Sequence, residues 1–346
     1  MELQVVNSVN RNSTGVIIGP PTLNKDIIVS ENQPPPSFLK SNTSSFIEAN
    51  TISVSLSHLR QDCTIPVFSK DNEVTISHQD FIQSMRSSVA TVFSEQHIAH
   101  PEIRVSHQIK GRIPEAIRKS VKELLPNEKT IYYERCAFTI DIPKVVKTIG
   151  GNELSLSVGG VRAYNQENLY SKKTIEKFKV FIGFKNLVCT NLCISTDGFL
   201  EEIRVGSIEE LQQKMITLFS SYDAEKHLHQ MKELEQQYLT EQQFAQILGK
   251  ARLYNHLPKS RKQELPQFTF NDGQLNTVAK DYYEDESFCK DENGNINLWN
   301  VYNLFTGATK SSYIDSFLER NVNAYTFTNS VSEALKGNSD YHWFLS

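Results

Sequence analysis

Apolar residues recur at every second position from Phe178 to Phe184. Phe178, Val180, Ile182 and Phe184 share one side, while Lys177, Lys179, Phe181, Gly183 and Lys185 share the other. A period of two is that of a β-strand, so the first set is expected in a core and the second on an open sheet face. Upstream, Tyr132, Cys136, Phe138, Ile140 and Ile142 share one side of a strand predicted to end at Pro143. Gly150-Gly151-Asn152 reads as a turn, after which Leu154, Leu156 and Val158 begin another strand. Gly159-Gly160 moves the apolar parity to Val161 and Ala163, as a β-bulge would. Together these runs predict an antiparallel meander, preceded by extended segments at Ile52, Val54 and Leu56 and at Ile103 to Ile109.

Elsewhere the period lengthens to that of a helix. Ser77 precedes Phe81, Met85, Val89, Val92 and Phe93, which fall on one helical face. Pro114 is placed to open a helix carrying Ile117, Val121, Leu124 and Leu125 inward, with Arg118, Lys119 and Lys122 on its outer face and Pro126 as its stop. Ser207 with Glu210 and Thr240 with Gln243 have capping-box spacing. Leu298, Val301, Tyr302 and Phe305 share a face closed by Gly307, and Ser330 with Glu333 is read as the cap of a last helix. The fold class expected is α+β, an antiparallel β-meander packed with helices and followed by a mainly helical C-terminal part. The divisions expected are a loosely attached segment 1–45, an α+β domain 46–206, a helical segment 207–258 and a helical part 259–346 on the same body.

Composition narrows the class. No apolar run reaches the length of a membrane-spanning helix, and no signal peptide is read at the N-terminus. Five scattered cysteines argue for reduced thiols, and a cytoplasmic location is expected. The net charge of -4 hides an asymmetry: residues 103–190 hold 16 Lys and Arg against 8 Asp and Glu. A basic middle in an acidic chain points to an anionic partner.

Candidate chemistry is sparse. Gly307-Ala308-Thr309-Lys310-Ser311 lacks the glycines of a phosphate loop. His97, His100 and His107, and the pair Cys189 and Cys193, have no further ligands at metal-site spacing. Asp281, Glu284 and Asp285 would share a helix face able to hold a divalent ion, the basis of a metal-dependent nuclease reading. No catalytic motif is present, so a non-enzymatic role is favoured, no cofactor is expected, and a metal is left open. The coherent signal is cationic: Lys110, Arg112, Arg118, Lys119, Arg162, Lys172, Lys173, Lys177, Lys179 and Lys185, with Phe181 among them. Gathered on one sheet face, they would form a stacking platform in a positive groove.

The segments IPVFSKDNEVTISHQDFI, YYERCAFTIDIP, LSLSVGGVRAYNQENLYSKK, EKFKVFIGFKNLVCTNLCISTDGF and LWNVYNLFTGATKSSYIDSFLERN resemble a bacterial family known as domain of unknown function 3871. A second likeness, confined to VCTNL and to Trp299, Tyr302, Asn303 and Thr306, is to a broader phage- and plasmid-associated family. The resemblance implies the company of mobile genetic elements and transfers no catalytic residue. The function expected is a mobile-element accessory protein that binds DNA, single strands favoured, through the basic sheet face. The alternatives are a protein-interaction module countering host defence, presented by residues 263–346 with 5 Lys and Arg against 12 Asp and Glu, and the metal-dependent nuclease.

Overall fold

The computed structural model describes residues 45–68, 75–94, 96–167, 175–337 and 339–346. The loose segment expected at 1–45 falls outside them except for Ser45. Long strands β3 (Glu102–Arg112), β4 (Lys129–Ile149), β5 (Asn152–Ala163) and β6 (Glu176–Asn186) run antiparallel in that order. Short strands extend the edges: β1 (Ile52–Ser53) and β2 (Ile65–Pro66) pair with β3, and β7 (Leu192–Cys193) and β8 (Phe199–Val205) pair with β6. The expected meander is therefore present, within an eight-stranded sheet. Gly150 and Gly151 take positive φ at the β4–β5 turn, which glycine adopts without a Cβ clash.

Helices α1 (Leu56–Asp62) and α2 (His78–Val92) come before the long strands. After the sheet follow α3 (Ile208–Ser221), α4 (Ala224–Glu235), α5 (Glu241–His256), α6 (Lys259–Lys262), α7 (Asp272–Glu284), α8 (Leu298–Thr309) and α9 (Ile314–Leu335). A small two-stranded ladder, β9 (Tyr238–Leu239) with β10 (Ile296–Asn297), lies among them. The caps read from sequence are in place: Ser77, Ser207 and Thr240 each accept a backbone N–H three residues on.

Several expectations fail for identifiable reasons. The sheet is buried on both faces. Phe178, Val180, Ile182 and Phe184 enter the main core, as expected. The opposite face is covered too: Phe181 is 1% exposed and packs with Ala137, Val161, Leu192 and Ile194 beneath Phe46, Ile47 and the first turns of α9 at Ile314, Phe317 and Leu318. Lys179 and Lys185, expected in solvent, are buried, and Lys177 is half-buried. The same two-sided burial explains Gly159-Gly160, where the β4–β5 register runs on without a bulge. Val161 points into the second core, and a Cβ at Gly160 would meet the Phe81 ring at 2.5 Å. The register shifts instead between Ile142 and Val146, so β4 continues past Pro143.

The helix expected from Pro114 is three separate 3-10 turns, Pro114–Ala116, Val121–Glu123 and Pro126–Glu128. The Arg112 guanidinium collects the carbonyls of Ile117 (3.0 Å) and Lys119 (2.6 Å), a backbone that cannot also close into an α-helix. Gly307 lies inside α8, and Ser330 is inside the 22-residue α9, where its hydroxyl donates to Thr326 O rather than capping.

At the junction of α2, β5 and β6 sits Arg162, with no solvent exposure. Its guanidinium donates to Glu167 (3.2 Å) and Glu176 (2.5 Å) and to Ile76 O, and lies over the rings of Tyr164 (4.2 Å) and Phe178 (4.7 Å). Burial draws its pKa down, but Tyr164, Glu167, Glu176 and Tyr132 outweigh this and hold it above the ordinary value, so it stays charged. Beside it, His78 stacks on Tyr132 at 5.0 Å and its Nε2 donates to Tyr133 O at 2.9 Å. Burial, with the charge of Arg162, pushes the His78 pKa down to about 3. Burial likewise lowers His227 to about 4.

Two tests follow from this interior. Arg162→Met strands two buried carboxylates and should cost about 3–5 kcal/mol in urea unfolding, or leave no folded protein. The buried histidines are depressed in the folded state, so the unfolded chain binds the extra protons. Stability should therefore be full above about pH 6.5 and fall as pH drops toward the folded values near 4 and 3. In thermal melts His227→Gln should show a shallower acid slope than the wild type.

Candidate nucleic-acid interface

The cations singled out in the sequence do not gather on one exposed surface. Arg162 is enclosed as described, and Arg112 is spent on loop carbonyls. Lys179 pairs with Glu319 and donates to Asp315 O at 2.5 Å. Lys185 pairs with Asp141 (2.6 Å) and lies 3.7 Å from Glu102. Lys177 pairs with Glu202 at 2.8 Å, and the two ammoniums at Lys177 and Arg204 hold the Glu202 carboxyl down to about 2, with Arg204 the larger influence. Lys119 pairs with Glu128. Lys110 and Arg118 are exposed, at the β3 end of the sheet. Lys172 and Lys173 lie outside the described residues. Phe181 is core, so no aromatic platform is available on this face.

The acidic helix face is also otherwise engaged. Asp285 stands at the C-cap of α7, where its Oδ1 accepts the backbone N–H of Ser287 and Phe288, both at 2.8 Å. Burial, then Asp285, pushes the Asp281 carboxyl up. Among the described residues no group of three or more His, Cys, Asp or Glu side chains is disposed to hold a metal ion.

A different surface collects positive charge. Between Glu241 and Glu264 the chain has no carboxylate and carries Lys250, Arg252, Lys259, Arg261 and Lys262, with His256. The helical period puts Phe244, Ile247, Ala251 and Tyr254 of α5 into the core. Gln242, Gln246, Gly249, Arg252, Leu253 and His256 are then left outward, all of them exposed. Pro258 ends α5 and starts α6, which presents Lys259 and Arg261 beside that face. Arg261 has an exposed partner in Glu264 at 2.7 Å, an ion pair that water screens to little net effect.

Aromatic rings stand among these cations. The Lys250 ammonium lies 5.0 Å from the Trp343 ring, and that of Lys262 lies 5.3 Å from the Tyr254 ring. Trp343 belongs to a final 3-10 segment, Ser339–Phe344, and is half-buried, whereas Trp299 is fully buried. Gly249 sits mid-helix with nothing within 4 Å of an added Cβ, so packing does not require it. The signal that marks this surface in the sequence is the absence of acid over a helical stretch, not a high density of base.

Among known proteins, the family model described as "Domain of unknown function, B. Theta Gene description (DUF3871)" matches residues 22–345. No curated protein and no solved structure matches the chain.

The burial of Phe181 can be checked directly. Phe181→Ala should destabilise the protein by about 3–5 kcal/mol in chemical denaturation, the cost of emptying a packed aromatic site. A solvent-facing ring would give a change near zero.

Proposed function

This chain belongs to that family of unknown function, and we propose that it is a non-catalytic DNA-binding protein that meets single strands on the α5–α6 surface. The observation that carries the reading is the carboxylate-free run from Gln242 to Gln263, exposed along α5 and α6, with the half-buried Trp343 beside Lys250. Cations spaced along a surface meet successive phosphates, and a partly exposed indole offers a base a stacking partner. The sheet face is a poorer route, because its lysines already have carboxylate partners and its phenylalanine is enclosed. Service to a mobile genetic element in the cytoplasm is part of the proposal and accounts for a DNA ligand without a catalytic site.

The test is an anisotropy titration of a labelled oligothymidine with the full chain at several salt concentrations. Up to five phosphate contacts give a log–log salt slope of about -3.5 on single strands, or roughly a hundredfold loss between 50 and 200 mM. Arg252→Glu with Lys259→Glu and Arg261→Glu should weaken binding by at least about tenfold, while Arg118→Glu leaves it unchanged. Binding should also alter the tryptophan emission, and Trp343→Phe should remove that change because Trp299 is out of reach of solvent. No binding at low salt, or a triple variant that binds like wild type, overturns the reading.

A further inference from the structure

A second site lies on the opposite part of the molecule's chemistry, where carboxylates outnumber cations. Between the ends of β5 and β6, the edge strand β8 and α9 is a cleft of about 540 Å³, a volume ordinary for small-ligand sites. Val161 and Ala163 give it an apolar floor, and Lys177, Lys179, Glu201, Glu202 and Glu319 line it.

The backbone is specially arranged here. Phe178 pairs with Ile203, but Val180 pairs with Leu200, so Glu201 and Glu202 both stand opposite Lys179. Such a bulge turns consecutive side chains out of the regular pleat, and here both are acids. The charge balance is then uneven. Lys177 is matched by Glu202, and Lys179 by one oxygen of Glu319. What remains is Glu319 Oε2, enclosed and without a hydrogen bond among the described residues, and Glu201, which makes no ion pair among them. An enclosed carboxylate oxygen without a donor costs free energy that a ligand N–H recovers.

We propose that this cleft binds a small aliphatic amine or guanidine, its cationic head donating to Glu201 and Glu319 and its hydrocarbon part lying on Val161 and Ala163. An anionic ligand would face two ammoniums already neutralised and a net negative wall. A bare metal ion would find two convergent carboxylates at most, and no described group of three ligands surrounds the cleft. The site does not depend on DNA binding by α5 and α6.

The experiment is isothermal titration of the full-length protein with agmatine, putrescine and spermidine at fixed ionic strength. Tetramethylammonium chloride, a cation without N–H donors, and sodium glutamate serve as controls. Saturable one-to-one binding of at least one amine, absent with both controls, is expected, and Glu201→Gln and Glu319→Gln should each weaken it by about tenfold or more. If Glu319→Gln fails to fold because Lys179 loses its partner, Glu201→Gln decides alone, since Glu201 is exposed. No saturable binding, equal binding of tetramethylammonium, or an unchanged affinity in Glu201→Gln overturns the proposal.

Discussion

A guanidinium cut off from water has to be answered on every side, and the answer given to Arg162 ties together segments far apart in the chain. Its partners come from the end of β5 (Glu167), the start of β6 (Glu176) and the residues leading into α2 (Ile76). Glu176 in turn accepts the backbone N–H of Ile76 at 2.9 Å, so the entry to α2 is clamped from two directions. A buried pair of this kind adds little net stability over apolar packing, because removing both charges from water is costly. What it imposes is position: α2 has one register against the sheet in which all of these donors and acceptors are met. His78 and the Tyr132–Tyr164 hydroxyl pair at 3.0 Å extend the same requirement into the adjoining core.

The second face of the sheet obeys the same rule with lysines. A strand carrying three lysines can be buried only if acids arrive from elsewhere, and here α9 supplies Asp315 and Glu319 while neighbouring strands supply Asp141 and Glu102. Between these polar pairs the apolar centre around Phe181 and Val161 receives Phe317 and Leu318. α9 is long enough to serve two layers: its first turns cover this face, while Ala324, Tyr325, Phe327 and Val331 join the main core. The helical half is thus packed directly against the sheet.

This division also explains how much could be read from the chain. The strands, the β4–β5 turn and the capped helices were legible because each rests on neighbours within a few residues. Ser77 and Asp80, or Thr240 and Gln243, contain the whole of their interaction. The fate of Lys179 was not legible, because Glu319 lies 140 residues away and a lysine is by default a surface residue. Val161 after Gly159-Gly160 resembled a change of parity only on the assumption of one buried face. Ser330 with Glu333 matched a cap by spacing, yet the helix around it had already begun at Ile314. The α5–α6 cations were present in the sequence but were overshadowed by a denser cationic stretch that folding neutralises.

Long-range seams of this sort also assign a role to segments with no evident chemistry. Asn191, just past the β6–β7 turn, donates from Nδ2 to Asn303 O of α8 at 3.0 Å, and the buried Lys310 donates to Cys189 O and, at 3.2 Å, to Thr190 Oγ1. Thr190 holds φ at 58°, a left-handed conformation that costs a β-branched residue energy and persists only where its surroundings fix it. Lys310 O meanwhile accepts the N–H groups of Glu48 and Ala49, bringing the covering segment of the second face to the same point. The segments 188–192 and 299–310 therefore act as a clasp between sheet and helices. Polar residues committed to such a clasp are spent on holding the fold, which leaves binding to the outer faces of α5 and α6 and to the cleft beside β8.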